Sequence, residues 1–346
     1  MTKERNGGKL TRMLKWVGYL TAIFSLCGTL AAITKHLYDR AEARRNVATL
    51  LAAETEEEKA HDYTAGWLTL EKAIRLEPTS DRVRAAQEGL ALAWLEDVHL
   101  NESQKFSDIT GKLEPILERA IASAKPGPRQ ADLRAHIGWA YFLESRDGRF
   151  DLDPTGPYRD AVTEDPDNPY AQAMWGHWIL WQNCDRIQEA EGHFAAALAS
   201  GREGDYVRRL EMAALLNCHT HGSDLEVIRV ANAMRKERRT LDDSMRDHIL
   251  GIYYFEFTPK TAETSEFMDA VPPAEHVATF RWLFDTLNAD DGNRASRSYY
   301  LAELEEAAGQ SEDALADYRL ALRQMSPDST QGKAADAGAK RLSHLH

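Results

Sequence analysis

The sequence offers little of the chemistry that marks an enzyme or a metal module. It has three cysteines in 346 residues and no Cys-x-x-Cys pair. Proline and glycine are sparse, at 12 and 21 residues, and no convincing stretch alternates β-branched with polar residues as a half-buried strand does. His-Glu-x-x-His, a nucleophile elbow and a dinucleotide fingerprint are all missing. Gly7-Gly8-Lys9 lacks the preceding strand and the glycine spacing of a phosphate loop. What is present is segment after segment rich in Ala, Leu, Glu and Arg. An all-α protein is therefore expected, with neither cofactor nor metal.

Charge is divided along the chain. Residues 1–45 carry nine Lys/Arg and three Asp/Glu, a balance of +6, which leaves −19 for residues 46–346 against −13 overall. An acidic body repels phosphate backbones, so nucleic acid is not an expected partner.

Trp16 to Thr34 is an uncharged run of nineteen residues between Lys15 and Lys35. As a helix it spans roughly 28 Å, close to the hydrocarbon thickness of a bilayer. Trp16 and Tyr19 lie at one end, where amphipathic rings favour the interface. A cleavable signal peptide is the alternative, but the run is long for one and Leu26 before Cys27 is too bulky for a lipoprotein pattern. The expected division is a basic tail (1–15), a transmembrane helix (16–34), a stalk (35–45), a helical body (46–325) and a C-terminal tail or cap helix (326–346). Five basic residues precede the span and four follow it. The positive-inside rule thus favours an internal tail, but by one residue. The expected location is a bacterial inner membrane with the body in the periplasm.

Within the body one spacing recurs. Ala190, Phe194 and Ala197 reappear as Ala314, Tyr318 and Ala321, small–aromatic–small on one helix face. Gly66, Leu70 and Ala73 follow the same spacing, with Pro78 five residues on. Ile137-Gly138 with Tyr141 precedes Tyr158, Ala161 and Pro166; Trp175-Gly176 follows 38 residues after Ile137-Gly138. That offset is a 34-residue period plus a four-residue insertion, placed in the loop Asp147 to Pro157. Leu250-Gly251 with Tyr254, then Phe267 and Ala270, gives a further copy, and Leu301-Ala302 opens the last. Looser helices are read at Arg82–Leu95, Leu113–Ala124, Tyr206–Asn217, Asp224–Met234, Ala274–Leu287 and Lys333–Leu345.

These residues resemble the tetratricopeptide repeat (TPR), a helix pair in which glycine and alanine let two helices approach and an aromatic ring fills the gap. The resemblance implies a right-handed superhelix, an α-solenoid, whose inner face binds peptides or protein segments. It places Trp139 and His177 at matching inward positions and Phe142 and Trp181 near the same groove wall, as candidate partner-binding residues; the alternative is that these rings pack against neighbouring helices. TPR proteins that clamp a C-terminal carboxylate use Lys, Arg and Asn at inward positions; here Asp132, Ala135, Trp139, Ala173 and His177 stand there, so that clamp is absent. The function implied is a membrane-anchored scaffold or adaptor for proteins in envelope assembly or secretion. A self-assembling structural protein is the alternative. Less favoured is an enzyme using His177, His219 or His221.

Three smaller features remain. Cys184 and Cys218 are one period apart, and regular stacking would hold them about 10 Å apart, beyond disulfide reach without loop rearrangement. Cys218, His219 and His221 match no zinc module. Asp151, Asp153 and Thr155 imitate the opening of a calcium loop, but Val162 stands where the bidentate acid belongs. Arg235 is expected at the surface.

Overall fold

A computed structural model describes residues 7–98, 105–256, 262–285 and 294–344; in its first helix, side chains are described at Leu26 and from Thr29 onward. Among the described residues the regular structure is entirely helical, and the chain forms two compact units, residues 1–103 and 104–346.

The first unit contains α1 (Gly7–Lys59), α2 (Tyr63–Leu76) and α3 (Asp81–Glu96). At 53 residues, α1 is about 80 Å long. The segments 16–34 and 35–45, read as span and stalk, belong to this one helix. Most side chains of 16–34 lie outside the described residues, and among the described residues no helix is long and apolar enough to cross a membrane. From Thr29 to Asn46 no side chain of α1 is buried; Val47 is the first, packed with Ala73 and Val83. Asp62 caps α2 by accepting the Ala65 N–H, and Glu77 ends it just before Pro78. Leu70 and Ala73 are buried, and Gly66 faces the Leu90 side chain across the α2–α3 contact.

The second unit runs through α4 (Ser107–Ser123), α5 (Pro128–Arg146), α6 (Thr155–Glu164), α7 (Pro169–Gln182), α8 (Ile187–Ala199), α9 (Gly204–Leu216) and α10 (His221–Lys236). It continues with α11 (Asp243–Glu256), α12 (Ala262–Asp269), α13 (Pro273–Asp285), α14 (Arg294–Ala307), α15 (Ser311–Gln324) and α16 (Thr330–Ser343). α5 packs with α6, α7 with α8, α9 with α10, and α14 with α15, while α5, α7, α9 and α11 adjoin in sequence. This is the paired packing of a helical repeat.

The small residues make the pairing possible. A Cβ on Gly138 would fall within 2.5 Å of the Tyr158 ring, and one on Gly176 within 3.1 Å of the Ala190 carbonyl and the Phe194 ring. Ala302, Ala314 and Tyr318 form the same contact in the last pair, joined by Ala335, Ala339 and Leu342 of α16. Gly338 of α16 also lies against the Tyr318 ring.

Two expectations need correction and one open point is settled. Gly251 meets nothing within 4 Å; its neighbour Tyr253 turns inward and packs edge-on against Phe267 at 5.3 Å. α4 begins six residues before the expected Leu113 and carries Pro115 inside it. α13, whose pairing the sequence left open, packs against α10, α11 and α14 and so interrupts the alternation of pairs.

Candidate functional site

Trp139, Phe142 and Arg146 follow one face of α5 at i, i+3 and i+7; His177 and Trp181 follow one face of α7 at i and i+4. Because α5 and α7 pack side by side, the two faces meet. Trp139 and Phe142 lie 4.9 Å apart, His177 is 5.1 Å from Trp139 and 4.9 Å from Phe142, and Trp181 stands edge-on to Phe142 at 5.4 Å. The four residues that the sequence assigned to a groove therefore form one aromatic cluster.

Their exposure divides them. Phe142 is fully enclosed and Trp139 and His177 are 3 % exposed, whereas Trp181 is 39 % exposed. The open groove wall thus contracts to its Trp181 end; the other three rings fill the space between α5 and α7 because large planar side chains are what that contact requires.

Burial holds the His177 imidazole neutral by lowering its pKa to about 3, with the nearby Arg146 charge acting in the same sense. Nδ1 of His177 is enclosed without a hydrogen-bond partner among the described residues. The imidazole thus lies neutral inside the packed cluster.

Arg146, which the sequence reading passed over, sits at the rim. Its guanidinium lies 5.2 Å from the Trp181 ring and 5.4 Å from the ring of buried Phe106. Phe150, in the loop that follows α5, is 87 % exposed. The i, i+3, i+7 spacing from Trp139 was the available signal for Arg146; Phe106 comes from a distant segment and gave none.

Cys184 and Cys218 form a disulfide with their Cα atoms 5.6 Å apart. The separation expected from regular stacking does not apply, because Cys184 opens a short 3-10 turn (Cys184–Arg186) and Cys218 lies beyond the end of α9. Two turns, rather than two helix positions, converge. The bonded Cys218 is no longer a thiolate ligand, and among the described residues no group of three His, Cys, Asp or Glu side chains could hold a metal ion. His221 instead bridges Glu256 and Glu266, 3.2 Å from each. Asp151 pairs with Arg149 at 3.1 Å, and Asp153 accepts the Thr155 N–H at 2.9 Å, so the acidic loop satisfies itself. Arg235 is half-buried and bound to Glu275 and Asn232, not free at the surface.

No family model matches the chain, and no curated protein matches it. Among solved structures it is similar to a tetratricopeptide repeat protein from Parabacteroides merdae, at 14 % sequence identity and a TM-score of 0.38, over 86 % of this chain and 99 % of that one.

Proposed function

We propose that this chain is a membrane-anchored scaffold that binds segments of partner proteins at the Trp181 end of the α5–α7 contact. The observation that carries this reading is the division within the cluster. Three rings are buried and rigid, while the fourth, backed by them, faces solvent. Rigid aromatic anchors of this kind concentrate binding energy at protein interfaces.

The anchor rests on the uncharged run Trp16–Thr34 within α1 and on the exposed side chains of Leu30 and Ile33, which suit an apolar surrounding better than water. The disulfide supports an oxidising compartment for the body, and with it a periplasmic side in a bacterial cell. An anchored binding module acts by raising the local concentration of its partner at the membrane, as a tether does. Envelope assembly and secretion are the processes that need such a device on that side.

The test is photo-crosslinking in cells, with the reactive residue at position 181 of the full chain and the exposed position Arg323 as control. A dominant protein adduct confined to position 181 supports the scaffold. Adducts only between copies of the chain favour self-assembly. No adduct at position 181, with expression and folding intact, overturns the proposed surface.

A further inference from the structure

The rim of the aromatic cluster holds a cation that, among the described residues, forms no ion pair within 4 Å. Two acids adjoin Arg146 in sequence or on its helix; Asp147 acts on its charge through space, but each acid is hydrogen-bonded or paired with another group. Glu144 accepts from the Thr110 hydroxyl at 2.7 Å and pairs with Arg149 at 3.4 Å. Asp147 accepts the Ser107 N–H at 2.8 Å, at the start of α4. Among the described residues no carboxylate lies within ion-pair distance of Arg146, although most other arginines of the second unit have one.

The geometry points to Arg146 as the receptor for a side-chain carboxylate of the partner segment, beside an apolar residue that rests on Trp181. This deepens the scaffold reading and rests on it. The guanidinium carbon lies over the rings of both Phe106 and Trp181, and its N–H donors match a carboxylate in a two-pronged pair. Contact with two rings restricts the side chain before a ligand arrives, so less side-chain entropy remains to be lost on binding. The exposed rings of Trp181 and Phe150 supply apolar contact on the same rim and its adjoining loop. An Asp or Glu next to an aromatic or aliphatic residue is the segment that satisfies both. A partner's terminal carboxylate is less suited, because the basic residues that surround such a group are absent from the inward positions of these helices.

Arg146 also ends α5, where any cation offsets the negative end of the helix dipole. Lysine would serve that role equally, and this separates the two explanations. Short random peptides would be selected on the full chain in detergent micelles, and the selected sequences measured against the wild type, Arg146→Lys, Arg146→Gln and Trp181→Ala. The expected result is enrichment of an acidic residue beside an apolar one, with affinity at least tenfold weaker on both Arg146 variants while their melting temperatures stay near that of the wild type. Replacing the peptide's acid by its amide should cause the same loss, and amidating its C-terminus should not. Loss on C-terminal amidation alone would move the recognised group to the terminus and overturn the side-chain assignment. Peptides without an acid, or binding retained on Arg146→Gln but lost on Trp181→Ala, would overturn the carboxylate receptor and leave the aromatic surface standing. No selected peptide whose binding depends on Trp181 or Arg146 would overturn both.

Discussion

Gly138 and the ring of Tyr158 are in contact so close that a Cβ on residue 138 would lie 2.5 Å from Cε1 and 2.7 Å from Cδ1. Tyr158 is fully buried and cannot withdraw without opening the α5–α6 pair. Gly138→Ala should therefore destabilise the second unit by about 1–3 kcal/mol, the usual cost of overpacking a core. Gly251→Ala is the control: that position is helical, exposed and open, so the substitution should stabilise by roughly 0.5–1 kcal/mol. Denaturant unfolding of the two variants checks both signs.

Trp139 and Trp181 touch the same Phe142 ring but should respond differently to truncation. Trp139→Ala leaves a cavity at a position only 3 % exposed and should cost about 3–5 kcal/mol. Trp181→Ala removes a ring that is already partly in water, so its thermal shift should be much smaller while partner crosslinking at the rim is lost. A melting curve and a crosslinking assay on each variant separate fold from function.

The Cys184–Cys218 bond closes a segment of 34 residues. Loop-closure entropy gives such a link about 3–4 kcal/mol. Cys184→Ser with Cys218→Ser, or reduction of the wild type, should lower stability by that order. Thiol labelling of the untreated protein from cells should find neither cysteine free; finding both free would remove the support for an oxidising compartment.

Stability should fall as pH rises past neutrality. Burial, as the first cause, raises Glu54, Glu114 and Glu305 from 4.5 to about 7. Between those values the folded chain holds protons that the unfolded chain has released, so deprotonation disfavours folding as pH climbs to 7. His177 and His276 act in the opposite direction: burial lowers them from 6.5 to about 3 and 4. Their contribution is present above 6.5 and is lost as pH falls towards those values. The two effects oppose each other below 6.5; above it these two histidines no longer change while the acids still do. Melting temperature at pH 8 should thus lie below that at pH 6.5. Glu114→Gln, which keeps the shape and removes the charge, should raise it at pH 8 by roughly 2–4 °C per kcal/mol recovered.

The sequence by itself determined the helical class and the small residues at 138, 176 and 302 that face the rings of the second helices. Those signals are local: a helix pair needs a small residue opposite a large one, at a spacing fixed by 3.6 residues per turn. It also named four aromatic residues that do meet, since Trp139–Phe142 and His177–Trp181 each occupy one helix face. Only the tertiary structure decided which of them see solvent, because exposure depends on how closely α5 and α7 approach, and no spacing encodes that distance. The same holds for Cys184 and Cys218. Their separation of 34 residues was visible, but their pairing was set where the chain leaves the regular helix and two turns converge. Gly251 is the converse case, in register by spacing yet turned outward, since Tyr253 and Phe267 found the better packing. Arg146 depended on both levels. Its place on the face of Trp139 is written in the chain, and its stacking on Phe106 and Trp181 exists only once α4, α5 and α7 are assembled.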